Sequence, residues 1–467
     1  MALPDLIEIV PLDKPVHAEI TVPGSKSITN RALILAALAD GEITLTGALW
    51  SEDTQIMVEC LQKLGFEIRV EPDPEEFCNR TITVKGLGGK IPNGGTVEDP
   101  LELFVGNAGT AARFLSAFVC LGNGVYRLSG VPRMHERPQA ALFKALRELG
   151  YRVESENGNE KLPVKIFGGG MRKFLQGLFF SRKGNCKVSI EESSQFASAL
   201  LLCAKVGNWK VEVVGENAEE SPYVAMTSKI IEAFPHHGGK FQIEPDTSSG
   251  SYFWAAAWLQ RNEEMKEQLL LAQKLIKPNV WTNWKEPKWI EIKNWPKSGW
   301  QRDEDFTIYV KPFSDAIPAE ISRNDDLADS IMTAIILAPL NSDNCKFIKF
   351  IDLGRLRLQE TERVVALRTE LIKCGAKVIE EGDTLTVWPS PLHGAEIETY
   401  NDHRMAMCFA ILGLKVPGIK IKNPACVKKT FPNFFQKLAA PPPNGLGATI
   451  LDAKSGRKLE LNELFAD

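Results

Sequence analysis

The chain has 467 residues, 44% hydrophobic and 24% charged, with 55 Lys and Arg against 59 Asp and Glu for a net charge of −4. These proportions fit an ordinary globular protein and exclude a collagen-like, wholly disordered or strongly basic chain. Mild acidity argues against a nucleic-acid partner, since binders of the phosphate backbone carry a basic footprint.

The length predicts about two to three domains, each with its own core. Met1–Val10 carries neither a basic stretch nor a long apolar one, so no signal peptide is read. No apolar run approaches the roughly 18 to 20 residues of a membrane span, so no membrane partner is expected. The nine cysteines form no CxxC pair, and Cys120, Cys203 and Cys408 sit in apolar helical runs. Buried reduced thiols in a cytoplasmic protein are the expectation. The six histidines lack metal-ligand spacing, and no metal is expected.

Along the chain one pattern recurs: a few small or polar residues, then an Ala/Leu-rich helical run. It opens at Pro23–Ser27, Gly106–Thr110, Ser193–Gln195, Asp246–Gly250, Asp326–Ser330 and Tyr400–Arg404. Marked at 26, 109, 194, 249, 329 and 403, the six copies stand 83, 85, 55, 80 and 74 residues apart. The short third step predicts a change of domain near 245. Units of this length exceed the repeat of a solenoid, about 20 to 50 residues. They suit a small α/β subdomain used six times.

Between copies lies a second signature, an amphipathic helix stopped by glycine and followed by a strand. It reads Val58–Gly65, Phe143–Gly150 and Leu371–Gly375, with a degraded copy over Ile230–Ile243. Glycine just past a helix end supplies the left-handed residue of a C-cap. Seven of the ten tryptophans fall between Trp254 and Trp300. That run is read as a remodelled surface. The tail after Leu438 is read as a loop or polyproline extension outside the core.

Several helix starts carry chemistry-bearing residues. Free N–H groups and the positive end of the helix dipole favour anions there, and basic residues at that end are misplaced unless an anion binds. Lys26 and Arg31, with Ser27 as neutral donor, read either as such a site or as a Ser-capped helix with solvated cations. Gly109 and its neighbours read as a close ligand approach or a tightly packed cap. Arg133 and Arg137 read as carboxylate or phosphate forks or as surface partners of Glu136. Ser193, Ser194 and Gln195 again open a helix. Asp329 beside an apolar run is a cap or a general base. Gln359–Arg363 reads as a solvated face or a site, and Arg404 and Lys429 add two further cations. Together they predict a cleft for a ligand bearing several negative charges.

Pro23–Arg31, Gly106–Arg113, Pro132–Pro138, Ser193–Gln195, Gln359–Arg363, Asn401–Met407 and Lys429–Pro432, in this order, resemble the motifs of the 5-enolpyruvylshikimate-3-phosphate synthases over residues 8 to 438. The related UDP-N-acetylglucosamine enolpyruvyl transferases share fold and chemistry, but Asn401–Met407 and Ser193–Gln195 favour the shikimate enzymes. The resemblance implies an α/β protein: a two-domain inside-out α/β barrel, each domain built from three βαβαββ units. One domain would span 24–244. The other would join 1–23 to 245–438, with a remodelled segment near 258–325, and 439–467 would be an extension.

The implied reaction moves the carboxyvinyl group of phosphoenolpyruvate to the 5-hydroxyl of shikimate 3-phosphate and releases phosphate, toward chorismate and the aromatic amino acids. Substrates would bind between the domains, with no cofactor and no metal, in a cytoplasmic monomer. By position, Asp329 matches the base, and Glu360 and Lys26 the proton-transfer partners. Lys26, Ser27, Arg31, Ser193, Ser194, Gln195, Tyr223, Asp329 and Gln359 match the shikimate-phosphate side. Lys26, Gly109, Arg133, Gln195, Arg363, Arg404 and Lys429 match the phosphoenolpyruvate side, which is also where glyphosate would act. The chain departs from the family at Gln359, where Lys is usual, at Arg355, where Asn is common, and at Glu220, where the usual motif has Ser. Phe114 also replaces a common Pro.

Overall fold

The computed structural model describes residues 3–169, 184–215, 221–260, 289–310, 317–341 and 346–466. The chain forms two compact units. One joins Pro23–Glu244 to Lys297–Gln301. The other joins Met1–Val22, Pro245–Pro296 and Arg302–Asp467.

The principal helices of the first unit are α1 (Lys26–Leu38), α2 (Glu52–Lys63), α3 (Gly109–Phe118), α4 (Pro132–Glu136), α5 (Ala140–Glu148), α6 (Gln195–Gly207) and α7 (Pro222–Ala233). Those of the second are α8 (Thr247–Leu259), α9 (Ile331–Leu337), α10 (Arg363–Lys373) and α11 (His403–Gly413). Each of the six repeated sequence patterns thus opens a helix: α1, α3, α6, α8, α9 and α11. These six are apolar on nearly every face. All residues of α3, α8 and α9 are buried, as a helix hydrophobic all round must be. Within the first unit α1, α3 and α6 pack on one another, and within the second α8, α9 and α11 do the same.

The glycine stops behave as their sequence context requires. Gly65, Gly150 and Gly375 follow α2, α5 and α10 at φ of +95°, +89° and +91°. That region carries a steric penalty for residues with a Cβ. α2 is further fixed at its start by the Thr54 hydroxyl, which accepts the Ser51 N–H at 2.9 Å, with Glu52 and Asp53 in its first turn and Lys63 in its last, matching the helix dipole.

Four sheets share one topology, a parallel pair extended by two antiparallel strands. In the first unit the orders are Gly239–Gln242, Glu42–Leu49, Asn79–Lys85, Ile68–Pro72, and Leu101–Phe104, Val125–Ser129, Val164–Phe167, Arg152–Ser155. In the second they are Glu320–Ser322, Ile348–Ile351, Thr384–Trp388, Lys377–Glu381, and Glu396–Ile397, Ile419–Lys422, Leu6–Ile9, Ile450–Asp452. Each unit adds one parallel pair, Gly184–Ser189 with Trp209–Val214 and Ala18–Ile20 with Ile290–Ile292. The repeat is therefore visible in the hydrogen-bond ladders, in full four times and as its first pair twice among the described residues. Burial alternates along strands such as Glu42–Leu49, so one sheet face covers the helices and the other meets water.

Two sequence expectations need correction. The tail is not outside the core. Ile450–Asp452 pairs antiparallel with Leu6–Ile9, and Leu446, Ala448, Ile450, Leu459, Leu464 and Ala466 are buried in the second unit's core. Its prolines mark turns between packed segments. Nor does the tryptophan run lie wholly at the surface among the described residues. Trp254 and Trp258 are buried in α8, and Trp295 meets Trp254 edge-on at 5.7 Å. Trp300 stacks on Phe241 of the first unit. Residues 261–288, with Trp281 and Trp284, lie outside the described residues.

Candidate active site

The first unit gathers the residues at the starts of α1, α3 and α6. Lys26 pairs with the nearly buried Asp53 of α2 at 3.0 Å. Arg31 is 1% exposed, and its hydrogen bonds go to neutral acceptors. Its guanidinium donates to Thr227 Oγ1 (2.8 Å), Ser27 O (2.8 Å), Ser198 Oγ (3.1 Å) and Tyr223 O (3.4 Å). Burial pushes it down to about 10, opposed by Tyr223, so it stays cationic at neutral pH. The Phe114 ring lies 5.3 Å from the same guanidinium, which gives this departure from the family a packing role.

Beside it, Gln195 links α6 to α3. Its Nε2 donates to Thr110 Oγ1 at 3.1 Å, and its Oε1 accepts from Arg113 Nη1 at 3.1 Å. Ser193 Oγ accepts the Gln195 N–H at 3.3 Å, and Ser194 is the residue before α6. A methyl added to Gly109 would lie 2.3 Å from Arg113 Nη1 and 2.7 Å from Arg137 Nη1. Arg137 also donates to Asn107 O at 3.3 Å. Asn107 Oδ1 and Arg137 Nε are buried without a hydrogen-bond partner among the described residues. Arg133 is not part of this group. It is exposed and pairs with Glu136 at 2.5 Å. The sequence pointed to Arg133 from a Pro-bounded pair of arginines, but the five-residue α4 separates the two, and Arg137 is the one beside Gly109.

The second unit builds a denser cluster. Asp329, before α9, is 9% exposed. Its Oδ1 accepts from Arg323 Nη2 at 2.9 Å and from Gln359 Nε2 at 3.4 Å. Its Oδ2 faces Arg404 Nη2 at 3.2 Å and Arg363 Nη1 at 4.0 Å. Burial alone would push this carboxyl up, but Arg404, Arg323 and Arg363 outweigh it and hold it well below the usual carboxylate range. Arg363 reaches Asp402 at 2.7 Å and Glu360 at 2.8 Å, and donates to Gln359 Oε1. Asp402 caps α11 through the Arg404 N–H at 2.9 Å. Lys429 pairs with Glu360 at 2.9 Å. Four cations thus interleave with the three carboxylates Asp329, Glu360 and Asp402, leaving a net charge of +1.

This arrangement can accept a proton at one carboxylate, hold another carboxylate between two cations, and bind an anion at the guanidiniums. Sequence reasoning missed Arg323 and Asp402. Arg323 lies in the stretch that matches the family poorly. Asp402 stood in a quoted motif, where its helix-capping position was the available signal. Arg355 falls in the 3-10 segment Leu353–Leu358. Glu220 lies outside the described residues, whereas Ser221 is buried at the start of α7. Among the described residues no three His, Cys, Asp or Glu side chains form a metal-binding group, and no helix is long and apolar enough to cross a membrane.

The family description of EPSP synthase (3-phosphoshikimate 1-carboxyvinyltransferase) matches residues 11–237 and 235–438. The chain belongs to the EPSP synthase family. Among its relatives, the 3-phosphoshikimate 1-carboxyvinyltransferase of Trichormus variabilis is 37% identical over 453 residues, 93% of this chain and 98% of that protein. That of Opitutus terrae is 35% identical over 471 residues, 94% and 98% of the two chains. The solved EPSP synthase of Acinetobacter baumannii superposes with a TM-score of 0.62 at 21% identity, covering 95% of this chain and 99% of that one. The enolpyruvyl transferase NikO of Streptomyces tendae gives 0.57 at 14% identity. These two likenesses carry the mixed α/β fold. The family membership rests on the sequence matches, which span the residues of both clusters described above.

Proposed function

We propose that this EPSP synthase family chain transfers the carboxyvinyl group of phosphoenolpyruvate to the 5-hydroxyl of shikimate 3-phosphate and releases phosphate. The observation that carries the residue assignment is Asp329, a buried carboxylate ringed by Arg323, Arg363 and Arg404 and tied through Arg363 to the Glu360–Lys429 pair.

Asp329 takes the proton of the 5-hydroxyl as its oxygen bonds to C2 of phosphoenolpyruvate. Glu360 delivers a proton to the methylene carbon, which becomes a methyl group in a tetrahedral intermediate, and Lys26 is the second residue assigned to proton transfer. Loss of a methyl proton and of phosphate from C2 then forms the enol ether. Arg363, Arg404, Lys429, Lys26 and the Gly109 turn receive the phosphate and carboxylate of phosphoenolpyruvate, together with Gln195. Arg137 takes the place first given to Arg133. Ser27, Arg31, Ser193, Ser194, Gln195, Tyr223 and Gln359 serve shikimate 3-phosphate.

In the free protein Asp329 is a weak base, because three guanidiniums stabilise its charge. An incoming carboxylate and phosphate compete for Arg363 and Arg404. Drawing those two away leaves Asp329 with Arg323 and raises its proton affinity when the hydroxyl is to be deprotonated.

The four repeated sheets and their buried helices support a two-domain inside-out α/β barrel as well: one domain near 24–244 and one joining 1–23 to 245–438 with the packed tail, each built from three βαβαββ units. A cytoplasmic monomer free of nucleic acid completes the proposal. The test is phosphate release from purified protein given both substrates. No release there, with turnover on a UDP-sugar, would move the chain to the sister transferases. Tight binding without turnover would make it an anion-binding relative, the reading that the neutral Gln359 favours.

A further inference from the structure

Asp303 lies in the short helical turn Arg302–Asp305 and was singled out by no sequence motif. It is 2% exposed. Its carboxylate is fully used. Oδ1 accepts the Ala328 backbone N–H at 2.7 Å and the Ser330 hydroxyl at 2.6 Å. Oδ2 accepts the Ser330 backbone N–H at 3.2 Å and the Ser248 hydroxyl at 2.5 Å.

The two N–H donors come from the residues on either side of Asp329. They lie in the turn that leads into α9, whose own first N–H groups, those of Ile331, Met332 and Thr333, bond to the carbonyls of Ala328, Asp329 and Ser330. A buried carboxylate from a distant turn thus satisfies the two backbone donors that flank Asp329, and Ser248 ties the same carboxylate to α8. Asp329 is therefore held through both its side chain and its backbone. Its side chain is gripped by Arg323 and Arg404, and its backbone is pinned on both sides by Asp303.

We propose that Asp303 is a positioning residue for the transfer reaction, fixing the peptide units that flank Asp329 so that its carboxylate meets the substrate hydroxyl. The proposal rests on the transferase reading. Placement errors of about 1 Å at a reacting group can cost roughly a hundredfold in rate. Asp303 touches no reacting atom, so its loss should act on turnover and leave the binding of charged substrate groups largely in place.

The test compares Asp303→Asn with the wild type for kcat, for KM of both substrates, and for the calorimetric Kd of shikimate 3-phosphate. Asparagine keeps the shape but sets an NH2 group against one of the two backbone N–H donors. The expected result is a kcat lower by about 10- to 100-fold, with Kd and both KM values within about threefold. Ser330→Ala, which removes one hydroxyl bond and keeps every backbone donor, covers the case in which Asp303→Asn does not fold. Its kcat should fall about three- to tenfold. Glu463→Ala breaks the Arg457–Glu463 ion pair in the same unit and serves as the stability control, with kcat unchanged. A kcat within twofold of wild type in a folded Asp303→Asn or in Ser330→Ala overturns the proposal. So does a loss that Glu463→Ala reproduces at equal melting temperature. If the wild type itself releases no phosphate, it is the transferase reading that fails. The proposal then fails with it.

Discussion

Replacing Arg323 with methionine isolates one of the three guanidiniums on Asp329 and is the most direct probe of how the base is tuned. Arg323 Nη2 donates to Asp329 Oδ1 at 2.9 Å, in a setting where both side chains are nearly buried. A hydrogen bond to a charged group contributes about 1.5 to 3 kcal/mol. At about 1.4 kcal/mol per pKa unit, its removal should raise the Asp329 pKa by roughly one to two units. Arg404 at 3.2 Å and Arg363 at 4.0 Å remain, so the carboxyl stays below its usual range.

Because the folded-state pKa is depressed, this carboxylate adds stability above the unfolded value of about 3.9 and loses it as pH falls through the folded value. Arg323→Met should therefore be less stable than wild type by about 1.5 to 3 kcal/mol at pH 7, with the gap narrowing in acid. The assay is a carbon-13 titration of the Asp329 carboxyl, assigned with Asp329→Asn, alongside urea unfolding at several pH values. The acid limb of kcat/KM should move up by the same one to two units. An Asp329 titration unmoved by Arg323→Met would refute the reasoning that the surrounding cations set its pKa.

Asp329→Ala should lower kcat by about 10² to 10⁴-fold while shikimate 3-phosphate still binds, measured by phosphate release and calorimetry; a normal turnover number removes it as the base. Gly109→Ala sets a methyl 2.3 Å from Arg113 Nη1 and 2.7 Å from Arg137 Nη1, so both guanidiniums must shift. The KM for phosphoenolpyruvate and the glyphosate concentration for half inhibition should rise together by about tenfold or more, since about 1.4 kcal/mol of lost contact is a factor of ten. Unaltered values for both place the ligand elsewhere. A chain ended at Ala440 loses the strand Ile450–Asp452 and the buried Leu446, Ile450, Leu459 and Leu464. At about 1.5 to 3 kcal/mol per buried side chain that loss is roughly 6 to 12 kcal/mol, comparable to the whole stability of a domain. A cooperative melt at the wild-type temperature would contradict it.

How much of this was legible in the sequence depends on whether the signal was local. The six buried helices and the glycine stops were readable because an Ala/Leu run after a polar start and a glycine after an amphipathic run each announce themselves within about ten residues. The tail misled because prolines over 441–443 are a strong local loop signal, while the apolar residues that bury it are spaced singly among charges up to Ala466. Trp254 and Trp258 sat in a run rich in lysine and glutamate, which masked their place in an all-buried helix.

The site divides in the same way. Lys26, Asp329, Glu360, Arg363, Arg404 and Lys429 could be named from motifs, yet no motif states which cation faces which carboxylate. Arg133 lies within α4 and Arg137 just past its end, four positions on, and only the path of that helix decides that Arg137 reaches Gly109. Arg323 and Asp303 carry no pattern at all. Each acts on Asp329 across six and 26 positions of chain, through a side-chain fork in one case and two backbone donors in the other. The neutral Gln359 gains its meaning from the same geometry. It bridges Asp329 and Arg363 as donor and acceptor, while Arg323, just past the strand Glu320–Ser322, donates to the same Asp329 oxygen. A residue that reads in sequence as a missing cation thus stands in a cluster that is net positive without it.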